Sequence, residues 1–413
     1  MEIILTLIHV VEYIVFAFLL WATLYIFIFA FAGLFYRQPR LKKKASKMRK
    51  FAVMIPGYKE DAVIVNVAKQ ALNQDYPSDK YDVIVIADSF SKETLDQLYQ
   101  LPIKVVVVVF EVSKKSKALN KCMETIGDDY DVAFILDADN IMESDVLSKI
   151  NEAFEMGFTA VQGHRTALNL DANFAILDAM SEEINNHIFR KGHRVLGLSS
   201  ALIGSGMGLD YHLFKSTMAT VDSVGEDKEV ELKIIRGGHK IAYVDDAIIY
   251  DEKTQKSDVF VNQRRRWIAA QLDYFKSHFF DGLWRLISKG QVDYFDKVVQ
   301  MIQPPRILLT GVLFIITFIA AIVQWILPLS VSRFLAPDVY CWFGLFILTA
   351  FALLFSVPKK LYTVRTFRAL LMIPKGFFLM MVSLLKIKGA SKKFLHTTHG
   401  HSEASPPTNK KGK

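Results

Sequence analysis

The chain has 413 residues, 52% of them hydrophobic, and a formal net charge of +8. This length allows two or three domains, and the high apolar fraction argues against a purely soluble protein. The basic residues concentrate beside apolar segments, which favours anionic lipid headgroups as their partner and argues against nucleic acid. The two cysteines, Cys122 and Cys341, lie in segments of different predicted environment and imply no disulfide framework.

The first predicted element is an uncharged apolar stretch from about residue 13 to 36, which is longer than a bilayer-spanning helix requires. Eight Lys and Arg residues follow it in RQPRLKKKASKMRK, residues 37–50. No positive region precedes the apolar stretch, so it is interpreted as an anchor and not as a cleaved signal peptide. The positive-inside rule places the basic block in the cytoplasm and the amino terminus outside.

Four short apolar runs follow, with a spacing typical of βαβ units. They are FAVMIP (51–56), YDVIVIAD (81–88), IKVVVVVF (103–110) and DVAFILDAD (131–139). We predict an α/β domain with a doubly wound, mostly parallel sheet. The carboxyl ends of its strands should meet at one edge, where open α/β sheets bind ligands.

Polar residues follow these predicted strands. Asp137 and Asp139 leave a buried strand two residues apart, so their side chains should point to the same side. Two hard oxygen ligands suit Mg²⁺ or Mn²⁺ that already carries a ligand phosphate. Asp88 could accept hydrogen bonds from a base or ribose, and Lys117 in KKSKALN could meet phosphate. The alternatives are turn or helix-cap roles for the aspartates and a solvated helix start for the lysine.

A nucleotide could also touch the exit of the first strand, where PGYKE supplies Pro56, Tyr58 and Glu60. The sequence contains no Walker A or Rossmann glycine pattern. We therefore expect a nucleotide to be held by carboxylates and a metal. In the stretch 199–207, Gly204, Ser205 and Gly206 are small enough for the backbone to approach a ligand, although a plain loop is the alternative.

The second half of this region contributes acidic and basic candidates. Glu226 and Asp227, in GED, open a predicted helix, where they either cap the helix or, facing a cleft, supply a general base. The segment HKIAYVDDAIIYDE (239–252) predicts a pair of strands. QRRRW (263–267) lies on a predicted helix, where its arginines could pair with diphosphate and Trp267 could stack on a sugar or base. Contact with lipid headgroups is the competing interpretation.

The order of PGYKE, Asp88, KSKALN, DAD, GED and QRRRW resembles the family 2 glycosyltransferases with a GT-A fold. Within that family it resembles the membrane-embedded branch containing cellulose, chitin, hyaluronan and poly-N-acetylglucosamine synthases. The resemblance implies a UDP-sugar donor, with Asp88 on the uridine, Asp137 near the ribose and diphosphate, and Asp139 on the metal. Asp227, in preference to Glu226, would be the general base of an inverting displacement. In the family, Gln263, Arg266 and Trp267 would line the acceptor and diphosphate end of the cleft. We expect Gly204, Ser205 and Gly206 at the same end.

Two further apolar segments, 307–327 and 339–357, predict additional membrane spans, and 361–385 predicts an amphipathic helix on the cytoplasmic face. Three spans would place the carboxyl terminus in the cytoplasm. The tail histidines His396, His399 and His401 could bind a metal, but a solvated end is the favoured interpretation. The predicted organisation is an anchor (1–36), a basic linker (37–50), a cytoplasmic GT-A domain (51–273), interfacial helices (274–303), two transmembrane helices (304–360), an amphipathic helix (361–390) and a basic disordered tail (391–413).

We predict an integral membrane, metal-dependent glycosyltransferase that builds a β-linked polysaccharide at the cytoplasmic face. The alternatives are the transfer of a single sugar to a lipid, which ceramide glucosyltransferases of similar topology perform, and a membrane scaffold without turnover. The predicted partners are a UDP-sugar, a glycan or lipid acceptor and membrane lipids. Three spans are few for a polymer channel, so a pore would need interfacial helices, a homo-oligomer or an export partner.

Overall fold

Eight strands pair into one sheet, in the order β3-β2-β1-β4-β7-β6-β8-β5, within the part of the chain that the structure describes. The computed structural model describes residues 2–41, 45–223, 225–253, 257–326 and 336–385, without the side chains of 257–266 and 383–385. The strands are β1 (Phe51–Tyr58), β2 (Tyr81–Asp88), β3 (Lys104–Val108), β4 (Val132–Ile135), β5 (Asn140–Met142), β6 (Ala160–Ala167), β7 (Met207–Asp210) and β8 (Ile241–Asp251).

The first half of the sheet is built from parallel strands. There, β1 pairs in parallel with β2 and β4, and β2 pairs in parallel with β3. In the second half of the sheet, β6 and β8 also pair in parallel. β7 enters between β4 and β6 and is antiparallel to both, as β5 is to β8. The consecutive burial of residues 51–55 in β1 follows from helices covering both faces of the sheet. The predicted α/β class is confirmed, with four of the seven pairings parallel.

The helices cover both faces of the sheet and continue into an apolar group. They are α1 (Glu2–Gly33), α2 (Ile64–Ala71), α3 (Lys92–Tyr99), α4 (Lys115–Ile126), α5 (Val146–Glu155), α6 (Asn173–Asn185), α7 (His193–Val195), α8 (Tyr211–Met218), α9 (Glu226–Arg236), α10 (Ser257–Lys289), α11 (Val292–Gln300), α12 (Arg306–Trp325), α13 (Val339–Ser356), α14 (Val364–Leu370) and α15 (Ile373–Leu385). A π-helical segment, Asn186–Gly192, joins α6 to α7. The described ranges also contain two 3₁₀ turns, Ser78–Lys80 and Lys359–Leu361.

Each face of the sheet has its own hydrophobic core. One core combines β-strand residues with α4, α8, α9 and α11, and it includes Phe214 and Tyr294. The other packs the opposite face against α2 and α5, and it includes Phe51 and Phe134. The strand tips between these two cores therefore rest on rigid elements.

A third core joins the apolar helices to the domain. Among the described residues, α1, α12 and α13 are the three helices long and apolar enough to cross a membrane. They pack together through side chains such as Ile26, Leu313 and Trp342. Ile184 of α6 and Ile188 of the π-helical segment belong to the same cluster. The apolar helices and the sheet domain thus share buried side chains. The predicted orientation of these helices relative to a membrane stays a prediction.

Two sequence interpretations need correction. The predicted pair of strands at 239–252 is wrong, because β8 is a single strand in which Val244 lies opposite Gly163 and Ile248 opposite His164. The residues between them bulge out, and Asp245 there pairs with His164 at 3.0 Å and Lys191 at 2.8 Å. The predicted single helix at 361–385 is divided into α14 and α15. Proline fits the first turn of a helix but not its interior, so a new helix begins at Pro374, which lies in the first turn of α15. The tail 391–413 and its histidines lie outside the described residues.

Candidate active site

The exits of β1 and β2 lie side by side. Tyr58 pairs with Asp88 in the parallel register of the two strands. Lys59 and Ser89, the next residues, both have a left-handed backbone, with φ of 57° and 61°. Asp88 is 3% exposed, and its Oδ1 accepts a hydrogen bond of 2.9 Å from Ser89 Oγ. The Asp88 carboxylate is therefore held at a fixed depth beside the β1 exit. The residues predicted to touch a nucleotide at that exit are all half-buried: Pro56, Tyr58 and Glu60.

Asp137 and Asp139 follow β4 and are half-buried. The backbone N–H of Asp137 donates to Ser205 Oγ at 2.9 Å, and the Ser205 hydroxyl donates to Asn140 Oδ1 at 2.7 Å. Asn140 Nδ2 donates to Asp139 Oδ1 at 3.1 Å and to Asp251 Oδ1 at 3.0 Å. Because Ser205 and Asn140 are fully buried, this chain of hydrogen bonds fixes the backbone that carries the two carboxylates.

Lys115, the first residue of α4, lies at the centre of the site. Its Nζ is 2.5 Å from Asp137 Oδ1, 2.9 Å from the Gly204 carbonyl oxygen and 3.6 Å from Glu226 Oε1. Burial disfavours the charge of Lys115, but the carboxylates of Asp137 and Glu226 outweigh burial and raise the pKa of the ammonium above its usual value. One cation thus joins the β4 exit, the loop 199–207 and the start of α9.

The loop 199–207 brings its backbone close to this cation. Gly204 and Gly206 both have a left-handed backbone, with φ of 81° and 63°, which glycine adopts without strain. The buried side chain of Gln162 supports the loop from below, because its amide donates to the Ser205 carbonyl at 2.9 Å and accepts from the Ile203 N–H at 3.1 Å. The backbone of this stretch therefore contacts Lys115, and its predicted approach to a ligand stays a prediction.

Glu226 and Asp227 open α9 on the other side of the loop. A Cβ built at Gly204 would lie 3.6 Å from Asp227 Cβ, so the loop backbone and this side chain are neighbours. Burial raises the pKa of Glu226 to about 7, while Lys115 opposes this shift and Asp227 adds to it. Two adjacent carboxyl groups, one of which changes protonation near neutral pH, can hold or accept a proton there.

Lys117, the lysine predicted to meet phosphate, is exposed, and its Nζ lies 3.3 Å from the Val112 carbonyl oxygen. Lys115 occupies the site because residues two apart on a helix lie on nearly opposite faces. Sequence reasoning missed Lys115, Gln162 and Asn140. The signal for Lys115 is present in KKSKALN, but the buried face of α4 has to be known before one lysine can be chosen.

The residues of QRRRW lie on the long helix α10, as predicted. The side chains of Gln263 and Arg266 lie outside the described part of the structure. Trp267 is described and is 38% exposed. The role predicted for this motif therefore stays a prediction.

The carboxylates of Asp137 and Asp139 fit one kind of metal. The described residues contain no group of three or more His, Cys, Asp or Glu side chains placed to hold an ion. A caged zinc or calcium site needs such a group. Mg²⁺ and Mn²⁺ accept one or two carboxylates together with phosphate oxygens of a ligand, which is the donor set that this strand exit offers.

Comparison with known proteins identifies the family. The model of "Glycosyltransferase like family 2" matches residues 49–270, slightly more than half of the chain. A probable glycosyltransferase, YdaM, of Bacillus subtilis is 25% identical over 248 residues, which are 55% of this chain and 57% of the relative. The beta-monoglucosyldiacylglycerol synthase of Synechocystis is 25% identical over 244 residues, 54% of this chain and 49% of the relative. The chain thus spans about half the length of these curated relatives.

A solved structure supports the fold. The mannosyltransferase of Pyrobaculum calidifontis, solved in complex with GDP-Man and Mn²⁺, matches with a TM-score of 0.55 at 14% identity. The match covers 84% of this chain and 97% of that protein. The GT-A type α/β fold with additional apolar helices is therefore confirmed, whereas the polysaccharide-synthase branch is not singled out by these comparisons. By the family match over residues 49–270, the chain belongs to glycosyltransferase family 2.

Proposed function

We propose that this protein transfers one sugar from a nucleoside diphosphate sugar to a hydroxyl group carried by a membrane lipid. The convergence of Asp137, Gly204 and Glu226 on Lys115 carries the proposal, because it places a cation and acidic groups around one point at the exit of β4. A diphosphate needs the cation, and an attacking hydroxyl needs a carboxylate base.

The donor side is formed by the strand exits. Asp88 would accept hydrogen bonds from the base or ribose at its fixed depth, and UDP-sugars are the first donors to test. Asp137 and Asp139 would hold Mg²⁺ or Mn²⁺ together with oxygens of the diphosphate. When bound, this ion would neutralise charge on the leaving diphosphate. Lys115, whose pKa is raised, stays protonated at neutral pH and would supply a second positive charge to the diphosphate.

The acceptor side is formed by the loop 199–207 and α9. Asp227 would take the proton of the acceptor hydroxyl as its oxygen bonds to the anomeric carbon. The bond from that carbon to the diphosphate breaks in the same step, so the configuration inverts. Glu226 is the second candidate for the base, since its pKa near 7 suits proton exchange at neutral pH.

A lipid acceptor is supported by where the apolar helices pack. Ile184 and Ile188, shortly before the loop 199–207, share a core with α1, α12 and α13. A lipid held beside these helices would present its headgroup hydroxyl near the acceptor side. A lipid acceptor is also supported by the relative from Synechocystis, a beta-monoglucosyldiacylglycerol synthase. Repeated addition to make a β-linked polysaccharide is the second candidate, and the presence of QRRRW on α10 favours it.

The test is product analysis with purified protein in lipid nanodiscs. UDP- and GDP-sugars are supplied with Mn²⁺ and with diacylglycerol or ceramide, and products are sized by mass spectrometry. Asp227→Asn should abolish turnover, while Asp96→Asn, a change at an exposed carboxylate of α3, should not. One sugar on a lipid supports the proposal, long sugar chains support the second candidate, and no transfer from any donor would refute both.

A further inference from the structure

The first turn of α9 is held by a tyrosine of α10. Tyr274 Oη lies 2.9 Å from the Gly225 carbonyl oxygen and 2.6 Å from Ser223 Oγ. Gly225 is the residue immediately before Glu226 and Asp227 and serves as the N-cap of α9. The Tyr274 hydroxyl donates to the carbonyl of this glycine, so it holds the backbone at the N-cap position from a neighbouring helix. A residue of α10 therefore fixes the backbone position from which Glu226 and Asp227 project.

A chain of charged side chains fixes the same helix from α11. Lys297 and Glu231 are both fully buried, and Lys297 Nζ lies 3.8 Å from Glu231 Oε1. The other oxygen of Glu231 accepts from Lys228 Nζ at 2.6 Å, and Lys228 also donates to the Leu202 carbonyl at 2.8 Å. Lys228 directly follows Asp227 in the chain. Two ion pairs and a hydrogen bond thus connect α11 through α9 to the loop 199–207.

The same face of α11 also holds the beginning of that loop. Asp293 accepts hydrogen bonds from the Ser199 backbone N–H at 2.7 Å and from Ser199 Oγ at 2.6 Å. Asp293 and Lys297 are four residues apart and therefore lie on one side of the helix. A single helix face consequently contacts the start of the loop 199–207 and α9.

Buried charges of this kind are a costly way to stabilise a fold. A well-packed apolar pair of similar volume often gives equal or greater stability than a buried ion pair. The hydrogen bonds of Lys228 to Glu231 and to the Leu202 carbonyl are directional, however, and define a position more sharply than apolar packing does, while Lys297 joins them through its charge. Catalytic groups need such definition, because a misplacement of about 1 Å can cost about a hundredfold in rate.

We propose that Tyr274 and Lys297 are positioning residues, which set Asp227 and Glu226 against the loop 199–207 from two neighbouring helices. The proposal rests on the proposed function, since it assigns the acidic pair to the acceptor hydroxyl. Neither residue touches the reacting atoms. Their loss should lower kcat more than it raises the KM for the donor, because Asp88 and Asp137 lie at the exits of β2 and β4, whereas the acidic pair lies on α9.

The first experiment compares Tyr274→Phe with Tyr294→Phe. Tyr294 belongs to α11, is fully buried, and its hydroxyl lies 2.8 Å from His278 Nδ1, so its variant removes a hydroxyl from the same helix pair without touching the start of α9. We expect Tyr274→Phe to lower kcat about tenfold, the equivalent of one lost hydrogen bond, with the donor KM within about twofold. The control should keep kcat within about twofold.

The second experiment separates positioning from stability. Lys297→Met leaves Glu231 with a single partner and should lower both Tm and kcat. If Lys297 positions the acidic pair, kcat falls in Lys297→Met even when it is measured well below the lowered Tm, and Lys297→Arg, which keeps a positive charge beside Glu231, recovers part of it. A wild-type kcat in folded Lys297→Met would overturn the proposal for Lys297.

Hydrogen–deuterium exchange tests the proposal independently of turnover. We expect Tyr274→Phe and the Lys297 variants to speed exchange in peptides covering residues 199–207 and 226–229, and Tyr294→Phe to leave these peptides unchanged. Unchanged exchange there would overturn the positioning role even if turnover were lost. Faster exchange in a protein that transfers no sugar would keep the positioning role and refute the proposed function instead.

Discussion

Lys115→Met is the substitution with the most specific expected outcome. The Lys115 ammonium pairs with the Asp137 carboxylate at 2.5 Å, with side chains that are 21% and 30% exposed. A cation held by Asp137 has to share that carboxylate with the ammonium. A partly screened pair of this kind is worth about 1 kcal/mol, so removal of the ammonium should tighten Mn²⁺ binding about fivefold.

Turnover should change in the opposite direction. A charge-assisted hydrogen bond to a diphosphate is worth about 1.5–3 kcal/mol, and its loss should lower kcat/KM about 10- to 150-fold. Tighter binding of the metal together with weaker catalysis is a combination that general damage to the fold does not produce. Lys115→Arg should fall between the wild type and Lys115→Met, because it keeps the charge in a different geometry.

The assay pairs two measurements on each variant. Mn²⁺ binding is followed by the electron paramagnetic resonance signal of the free ion, and turnover by release of the nucleoside diphosphate. Lys117→Met is the matched control, because Lys117 lies two residues further along the same helix and is exposed. Weaker Mn²⁺ binding in Lys115→Met, or turnover equal to that of the control, would refute this account of the site.

Three further substitutions test the supporting structure. Ser205→Ala should lower the free energy of unfolding by about 1–3 kcal/mol, because it leaves the Asp137 N–H and Asn140 Oδ1 without a buried partner; an unchanged Tm would contradict this. Glu226→Gln should remove a pH dependence of stability. With a pKa of about 7, Glu226 binds its proton more tightly in the folded state, so the stability of the wild type falls by up to about 3 kcal/mol as pH rises from about 4.5 to 7. A Tm difference between the two proteins that stays constant over this pH range would refute the raised pKa. Gly206→Ala should destabilise more than Gly157→Ala, because both glycines have positive φ but only at Gly206 would a Cβ meet a neighbour, 2.7 Å away; equal Tm losses would rule out crowding.

The placement of Asp88 and Asp137 at one edge of the sheet could be predicted from the sequence because it depends on local order. Asp88 and Asp137 each follow an apolar run, and parallel strands joined by right-handed crossovers bring their carboxyl ends to one edge. No side-chain detail is needed for that inference. The choice between Lys115 and Lys117 does need side-chain detail, because the sequence of α4 does not show which face of the helix is buried against the sheet.

The β8 bulge shows a different limit of sequence reasoning. Asp245 and Asp246 interrupt an apolar pattern, which is typical of a turn between two strands. The structure instead keeps one strand and satisfies these carboxylates through tertiary partners, Lys191 for Asp245 and Arg40 for Asp246. Those partners are distant in sequence, so neither the pairing nor the continuity of the strand could be read from the local pattern.

The two sides of the site also differ in what holds them. The proposed donor side rests on backbone pairing within the sheet and on the buried hydrogen bonds of Ser205 and Asn140. The acceptor side is assembled from a loop and three helices through side-chain contacts, with Tyr274 and Lys297 among them. α11 extends these contacts to α1, because Asp296 accepts from Tyr25 at 2.8 Å and pairs with His193 at 3.2 Å. Changes in α1 should therefore reach the acceptor side before the donor side, so that variants of this apolar helix alter kcat with the acceptor more than they alter the affinity for the nucleotide.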